Sequence, residues 1–280
     1  MSTVLFDTPG PKAQARHRIM TVIAAVLAVL LLAWVLWKLY EEGEFQASVW
    51  EDMSQPNIWE AYWKGLLATL KAAASAIVLS VVFGAVLAIA RLSDRAWVRF
   101  PARVVVEFFR AVPLLLQIMF VYFGLGLGLY WSLVLALTLY NGSVLAEVFR
   151  AGMLAVPQGQ SEAAYAIGMR KNQVMRLVLM PQSITIMLPA IVSQCVIVLK
   201  DTALGQIVSY RELVVESQGI AGFIHHTFVP LAVAAAIFIT INYSLSRLAI
   251  YLEARMARRG QSSGQKVDLG TINAAQNAGV

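Results

Sequence analysis

Charge is what this sequence has least of. Asp, Glu, Lys and Arg make up 14% of its 280 residues, well short of the share usual in a soluble domain. Cysteine is almost missing too. Cys195 stands alone inside the uncharged run Ile191 to Leu199, which excludes an internal disulfide framework and fits a buried, inert thiol. There are three histidines. His225 and His226 are adjacent, so on a helix they point about 100° apart, and no further ligands accompany them, so no metal site is expected. One apolar cysteine and scattered histidines supply no nucleophile–base pair either, which argues against an intramembrane enzyme. The chain also lacks Gly-x4-Gly-Lys-Ser/Thr, so it does not hold a nucleotide by that device.

What the chain has is apolar length. Hydrophobic residues make up 59% and the mean hydropathy is +0.68, which places it among integral membrane proteins. The net charge of +6 needs no nucleic acid, because basic residues ordinarily flank membrane spans. Ile19 to Trp37 carries no charge over 19 residues, close to the ~20 that a hydrocarbon core requires. It is longer than the core of a signal peptide, and it ends in Trp34, Trp37 and Tyr40, which suit an interfacial belt. Further spans are expected at 72–90, 106–124, 130–150, 177–199 and 228–246. The uncharged stretch Ala111 to Ala146, 36 residues long, folds back at Gly124, Gly126 and Gly128 as a helical hairpin. Pro181 and Pro189 fall inside the fifth span, where neighbours can satisfy the freed carbonyls.

The fold class is therefore all-α and polytopic, with six transmembrane helices. Residues 1–18 read as a basic, disordered tail and 19–40 as a first helix. Residues 41–60 form an acidic extracellular loop, 61–254 the core, and 255–280 a disordered tail rich in Gly, Ser, Gln and Asn. Of the 22 Lys and Arg, 17 fall on the segments 1–18, 91–110, 147–176 and 247–280, and five on the intervening ones. This positive-inside bias puts both termini, and the loop at 147–176, in the cytoplasm.

That loop contains Val156-Pro157-Gln158-Gly159-Gln160-Ser161-Glu162-Ala163-Ala164-Tyr165-Ala166-Ile167-Gly168. Pro157 suits the first turn of a helix, Glu162 favours its N-terminal dipole, and Ala163 and Ala164 are strong helix formers. Gly168 can close the helix in a left-handed conformation. A short, slim helix over 157–168 follows. It lacks the Trp or Phe wedge of a lipid-surface helix.

Charges in a membrane mark pairs or pathways. Glu107 with Arg110, and Glu147 with Arg150, have i, i+3 spacing and are expected to pair. Asn141 and Ser143 fall within the fourth span. Lys200 and Asp201 close the fifth at its outer end. There they either meet a zwitterionic or anionic solute or anchor the helix at the interface.

Residues Glu162-Ala163-Ala164-x-x-x-Gly168, with Leu188-Pro189 farther on, resemble the cytoplasmic EAA loop of bacterial ABC importer permeases. Glu107-Phe108-Phe109-Arg110-x-x-Pro113-Leu114-x-x-Gln117 is similar to a motif of the polar-amino-acid permeases, the family of histidine, glutamine and glutamate importers. So are Asn141-Gly142-Ser143-x-x-Ala146-Glu147-x-x-Arg150-Ala151-Gly152 and Leu199-Lys200-Asp201-Thr202-x-Leu204. The four motifs occur in the family's order across about residues 60–250. The N-terminal region resembles, more loosely, actinobacterial glutamate permease subunits.

The resemblance implies a MetI-like bundle of the type I importer kind. It assigns Gly159, Glu162, Ala163, Ala164 and Gly168 to a coupling helix seated in a separate ATPase, and Asn141, Ser143, Glu147, Lys200 and Asp201 to the substrate pathway. It makes Glu107, Arg110, Pro113, Gln117, Arg150 and Pro189 structural. The chain would be a transport subunit without catalytic residues or its own cofactor, ATP and Mg being bound by the partner. Expected partners are a sister permease subunit, as a heterodimer in preference to a homodimer, an ATPase dimer and an extracellular solute-binding protein meeting the loops near 40–60 and 203–222. Glutamate is the expected substrate, with glutamine, aspartate or a basic amino acid as alternatives. An ion-coupled secondary transporter would need two related halves with broken helices, which the sequence does not display.

Overall fold

The computed structural model describes residues 10–263. It is a helical bundle whose elements follow the charge-free runs. Helix α1 spans Pro11–Glu41, α2 Ala47–Met53, α3 Pro56–Arg91, α4 Ala96–Ala111, α5 Leu114–Leu125, α6 Leu129–Leu154 and α7 Gln158–Ala166. Helix α8 (Lys171–Gln173) runs through a π-helical stretch, Val174–Leu179, into α9 (Met180–Asp201). A 3-10 stretch, Thr202–Val208, leads to α10 (Leu213–Ile224) and α11 (Phe228–Ser263). Among the described residues five helices are long and apolar enough to cross a membrane, or six if the bent pair α4 and α5 is one span.

The sixth expected span, 106–124, is not one helix. The chain bends by 102° between α4 and α5, because Pro113 has no N–H to continue the helix. Gln117 repairs the break. Its Nε2 donates to Phe109 O at 2.7 Å, the carbonyl Pro113 leaves free, and to Val112 O at 2.9 Å.

The central pair is α3 and α6, which approach closely through small residues, as membrane helices do. A Cβ on Gly84 would lie 2.7 Å from Gly142 O, and one on Gly142 would lie 2.7 Å from Phe83 Cδ1. Around this contact, Ala72, Ala76, Ile118, Leu133, Leu137 and Val198 form the main core. At the bundle end that carries Arg91, Leu87, Val106 and Ala146 join α3, α4 and α6. At the opposite end, Val49 and Met53 of α2 pack with Tyr62, Leu213 and Ile224.

The acidic loop is thereby built into the bundle. Glu44 is buried and accepts from Thr227 N at 3.0 Å and Phe228 N at 3.2 Å, capping α11 from 183 residues away. The two tails also differ from expectation. Pro11 starts α1 and good helix formers follow, so 11–18 is helical. At the other end α11 continues to Ser263. The remainder of both tails, 1–9 and 264–280, lies outside the described residues. None of the apolar window of α1 is buried, so it does not pack along the bundle. It is apolar on every side, as befits a helix facing lipid.

Candidate functional site

Helix α7 lies near the bundle end formed by Arg91 and the C-terminus of α6. Pro157 precedes α7 as its N-cap, not as a first-turn residue, and Glu162 is the fifth residue of the helix, beyond the reach of the N-terminal dipole argument. The C-terminal end forms as expected. Gly168 has φ +84°, with Gly168 N donating to Tyr165 O at 2.9 Å and Met169 N to Ala164 O at 3.2 Å. These two bonds are the Schellman pattern that satisfies the last carbonyls.

Gly159, Glu162, Ala163 and Gly168 are exposed, whereas Ala164 is buried and seats α7 on its own chain. Two residues that the motif did not single out join the open surface: Tyr165, and Ile167 at 79% exposure. Gln182 Nε2 donates to Gln160 Oε1 at 3.3 Å, tying α7 to α9. After α7, Lys171 pairs with Asp94 in the α3–α4 linker. Its hydrogen bond and charge hold the Asp94 carboxyl below the usual carboxylate range.

Arg91 organises the neighbouring charges. Its side chain is 8% exposed; Nη1 lies 2.6 Å from Glu147 Oε2, and Nη2 3.8 Å from Glu107 Oε1. Arg150 donates from Nε to Glu147 Oε1 at 3.0 Å and from Nη2 to the same oxygen. The Glu147–Arg150 pair is therefore present. Glu107 is paired with Arg91, not with Arg110. A position on the last turn of α3 places Arg91 between α4 and α6, while Arg110 points from the exposed side of α4. Glu147 belongs to this ionic cluster.

A second cluster sits halfway along α6. Asn141 is fully buried; its Nδ2 donates to Leu137 O at 3.1 Å and its Oδ1 accepts from Gln194 Nε2 at 2.5 Å. Asp201 lies near enough to the Asn141 side chain to interact with it. Asn141 and Asp201 thus come together, joined by Gln194, which the sequence reading passed over as part of an uncharged run. Ser143 does not join them, since its hydroxyl donates back to Leu139 O at 2.7 Å. Lys200 is exposed and lines a groove of about 520 Å³ with Asn242, Tyr243 and Ser246 of α11. Lys200 and Asp201 are the last two residues of α9. The chain continues beyond them through Thr202–Val208 and α10. Among the described residues no group of His, Cys, Asp and Glu could hold a metal ion.

Glu212 was not singled out in the sequence either. It is buried at the start of α10, where Oε1 accepts from Val214 N and Val215 N, both at 3.0 Å, and Oε2 has no hydrogen-bond partner. Burial pushes this carboxyl from an ordinary 4.5 up to about 7. A raised folded-state value favours the protonated form in the fold. The contribution to stability is therefore complete below about pH 4.5 and is lost as pH rises through about 7. We expect the thermal midpoint of the purified protein to decline between pH 5 and 8. Glu212→Gln, which keeps the cap acceptor, should flatten that decline; an unchanged slope would count against this assignment.

The chain belongs to the binding-protein-dependent transport system inner membrane component family, whose model matches residues 76–258. It is a membrane permease subunit and not an enzyme. It is 37% identical over 229 residues to the glutamate transport system permease protein GluD of Corynebacterium glutamicum, covering 79% of this chain and 84% of that one. It is 35% identical over 201 residues to a probable glutamine ABC transporter permease protein, GlnP, of Bacillus subtilis, covering 69% and 92%. Among solved structures, it matches a chain of an amino acid ABC transporter crystallised with histidines at a TM-score of 0.69 and 29% identity, over 72% of this chain and 97% of that one. A MetNI methionine transporter chain at 18% identity and a TM-score of 0.61 shares the fold.

Proposed function

We propose that this chain is one permease subunit of an ATP-driven importer for a polar amino acid, with L-glutamate as substrate. The observation that carries the reading is α7: an exposed, well-terminated short helix bearing Gly159, Glu162, Ala163 and Gly168, on a chain similar to a glutamate permease. Lys and Arg divide 17 to five between the two sides, which supports cytoplasmic termini and a cytoplasmic α7 in a bacterial cell membrane. A separate ATPase dimer binds ATP and Mg and holds α7. Closure of the ATPases moves α7, and the movement passes into α6 and α9, which flank it. A contact transmits work only where it differs between two states.

A sister permease subunit completes the pathway as a heterodimer, and an extracellular solute-binding protein delivers substrate to the opposite end. Exposed Lys200, on the groove beside α11, supplies a cation for a dicarboxylic amino acid, while Asn141 and Gln194, buried and bonded to each other, hold α6 and α9 together beside it. Reconstitution with these partners should give ATP-dependent uptake of labelled glutamate, which excess unlabelled glutamate suppresses most strongly in a panel with glutamine, aspartate and arginine. Stronger suppression by arginine than by glutamate would reject the substrate assignment.

A further inference from the structure

Helix α4 has three distinct faces. At 100° per residue, Val98, Ala102, Val105, Val106 and Phe109 fall within one arc centred near ~120° from Trp97. That arc is turned to the bundle, with Ala102 and Val106 buried. Trp97, Phe100, Val104 and Phe108 gather about a second direction near ~0°. All four are exposed, Trp97 at 71% and Phe100 at 69%. Arg99, Arg103 and Arg110 form a third arc near ~220°, also exposed. Glu107, at the edge of this arc, is engaged by Arg91, and the Arg99 Nη1 donates to Ser93 O at 3.3 Å.

The setting of the helix matches these faces. α4 begins a few residues after α3 ends at Arg91 and is bent by 102° from α5, which packs back along α6 in a hairpin. It therefore runs nearly at right angles to α5, at the bundle end rich in arginine.

We propose that α4 is an interfacial helix that binds anionic phospholipid of the cytoplasmic leaflet, with Trp97, Phe100, Val104 and Phe108 in the acyl boundary and Arg99 and Arg103 on the headgroups. Charge complementarity selects this occupant. A basic stripe beside an aromatic one is what attracts and retains acidic headgroups. The leaflet rests on the orientation proposed above; the lipid contact does not.

The test is quenching of Trp97 fluorescence in vesicles of phosphatidylcholine containing the full-length protein and either brominated phosphatidylglycerol or brominated phosphatidylcholine. Trp97→Phe isolates its share among the seven tryptophans. Phosphatidylglycerol should quench Trp97 more strongly at equal mole fraction. Arg99→Gln with Arg103→Gln should remove most of that preference, while Arg99→Lys with Arg103→Lys retains it. Equal quenching by the two lipids would overturn the proposal. So would a Trp97 signal that neither lipid quenches, since a protein surface would then cover this face.

Discussion

Gly168→Val lowers uptake by about tenfold or more while the variant still inserts and its partner ATPase still turns over. The reason lies in the backbone. A Cβ on Gly168 would meet nothing within 4 Å, so space does not forbid a side chain. The φ of +84° does, because a β-branched residue in that region is strained by about 1–3 kcal/mol. The valine variant would relieve the strain by releasing the bonds from Gly168 N and Met169 N, and the last turn of α7 would fray. In the proposed coupling, a frayed turn would not deliver the same displacement at each ATPase cycle. Asn, which tolerates the left-handed region better than other residues, should restore most of the uptake. Parent-level transport by Gly168→Val would show that the end of α7 carries no coupling.

Arg91→Met should be the most destabilising single change at that end of the bundle. The Arg91 guanidinium reaches two carboxylates on two other helices, at 2.6 and 3.8 Å. Removing it leaves Glu147 to Arg150 alone, with the Glu147 side chain 26% exposed, and losing one of two partners of a part-buried carboxylate costs about 2 kcal/mol. Glu107 is far more exposed and should relax into water. A drop of order 5–10 °C in the thermal midpoint is expected. Adding Glu147→Gln should not recover it, since Glu147 still holds Arg150 and its loss would leave that guanidinium unpaired. Arg91→Lys should not rescue, because one ammonium cannot serve both carboxylates as a fork does. A midpoint equal to the parent's would remove Arg91 from this role.

The sequence reveals what a local pattern can encode. Charge-free runs give α3, α6, α9 and the first part of α11, and Gly168 is legible because only a left-handed residue closes a helix in that way. The bend at Pro113 is hidden: a proline in an apolar run reads as tolerated, and the repair depends on where Gln117 swings its amide. Helix α10 is hidden because it is short and starts in a polar connection, with a buried glutamate as its cap. Glu44 looked like surface charge because its partners, Thr227 and Phe228, lie far along the chain. Arg91 counted only toward a total of basic residues, although packing makes it the hub between α3, α4 and α6. Gln194 went unnoticed since a neutral amide does not interrupt an uncharged run. Its importance appears only beside Asn141.

The central claim is that the energy for transport enters this chain from a separate ATPase through α7. The most direct measurement is glutamate uptake into vesicles holding the full assembly, with the phosphate-loop lysine of the partner ATPase intact or replaced. Uptake is expected to be abolished by the replacement, although the assembly remains intact and substrate still reaches it. Uptake that proceeds unchanged without ATP hydrolysis would show that no ATPase drives transport through α7.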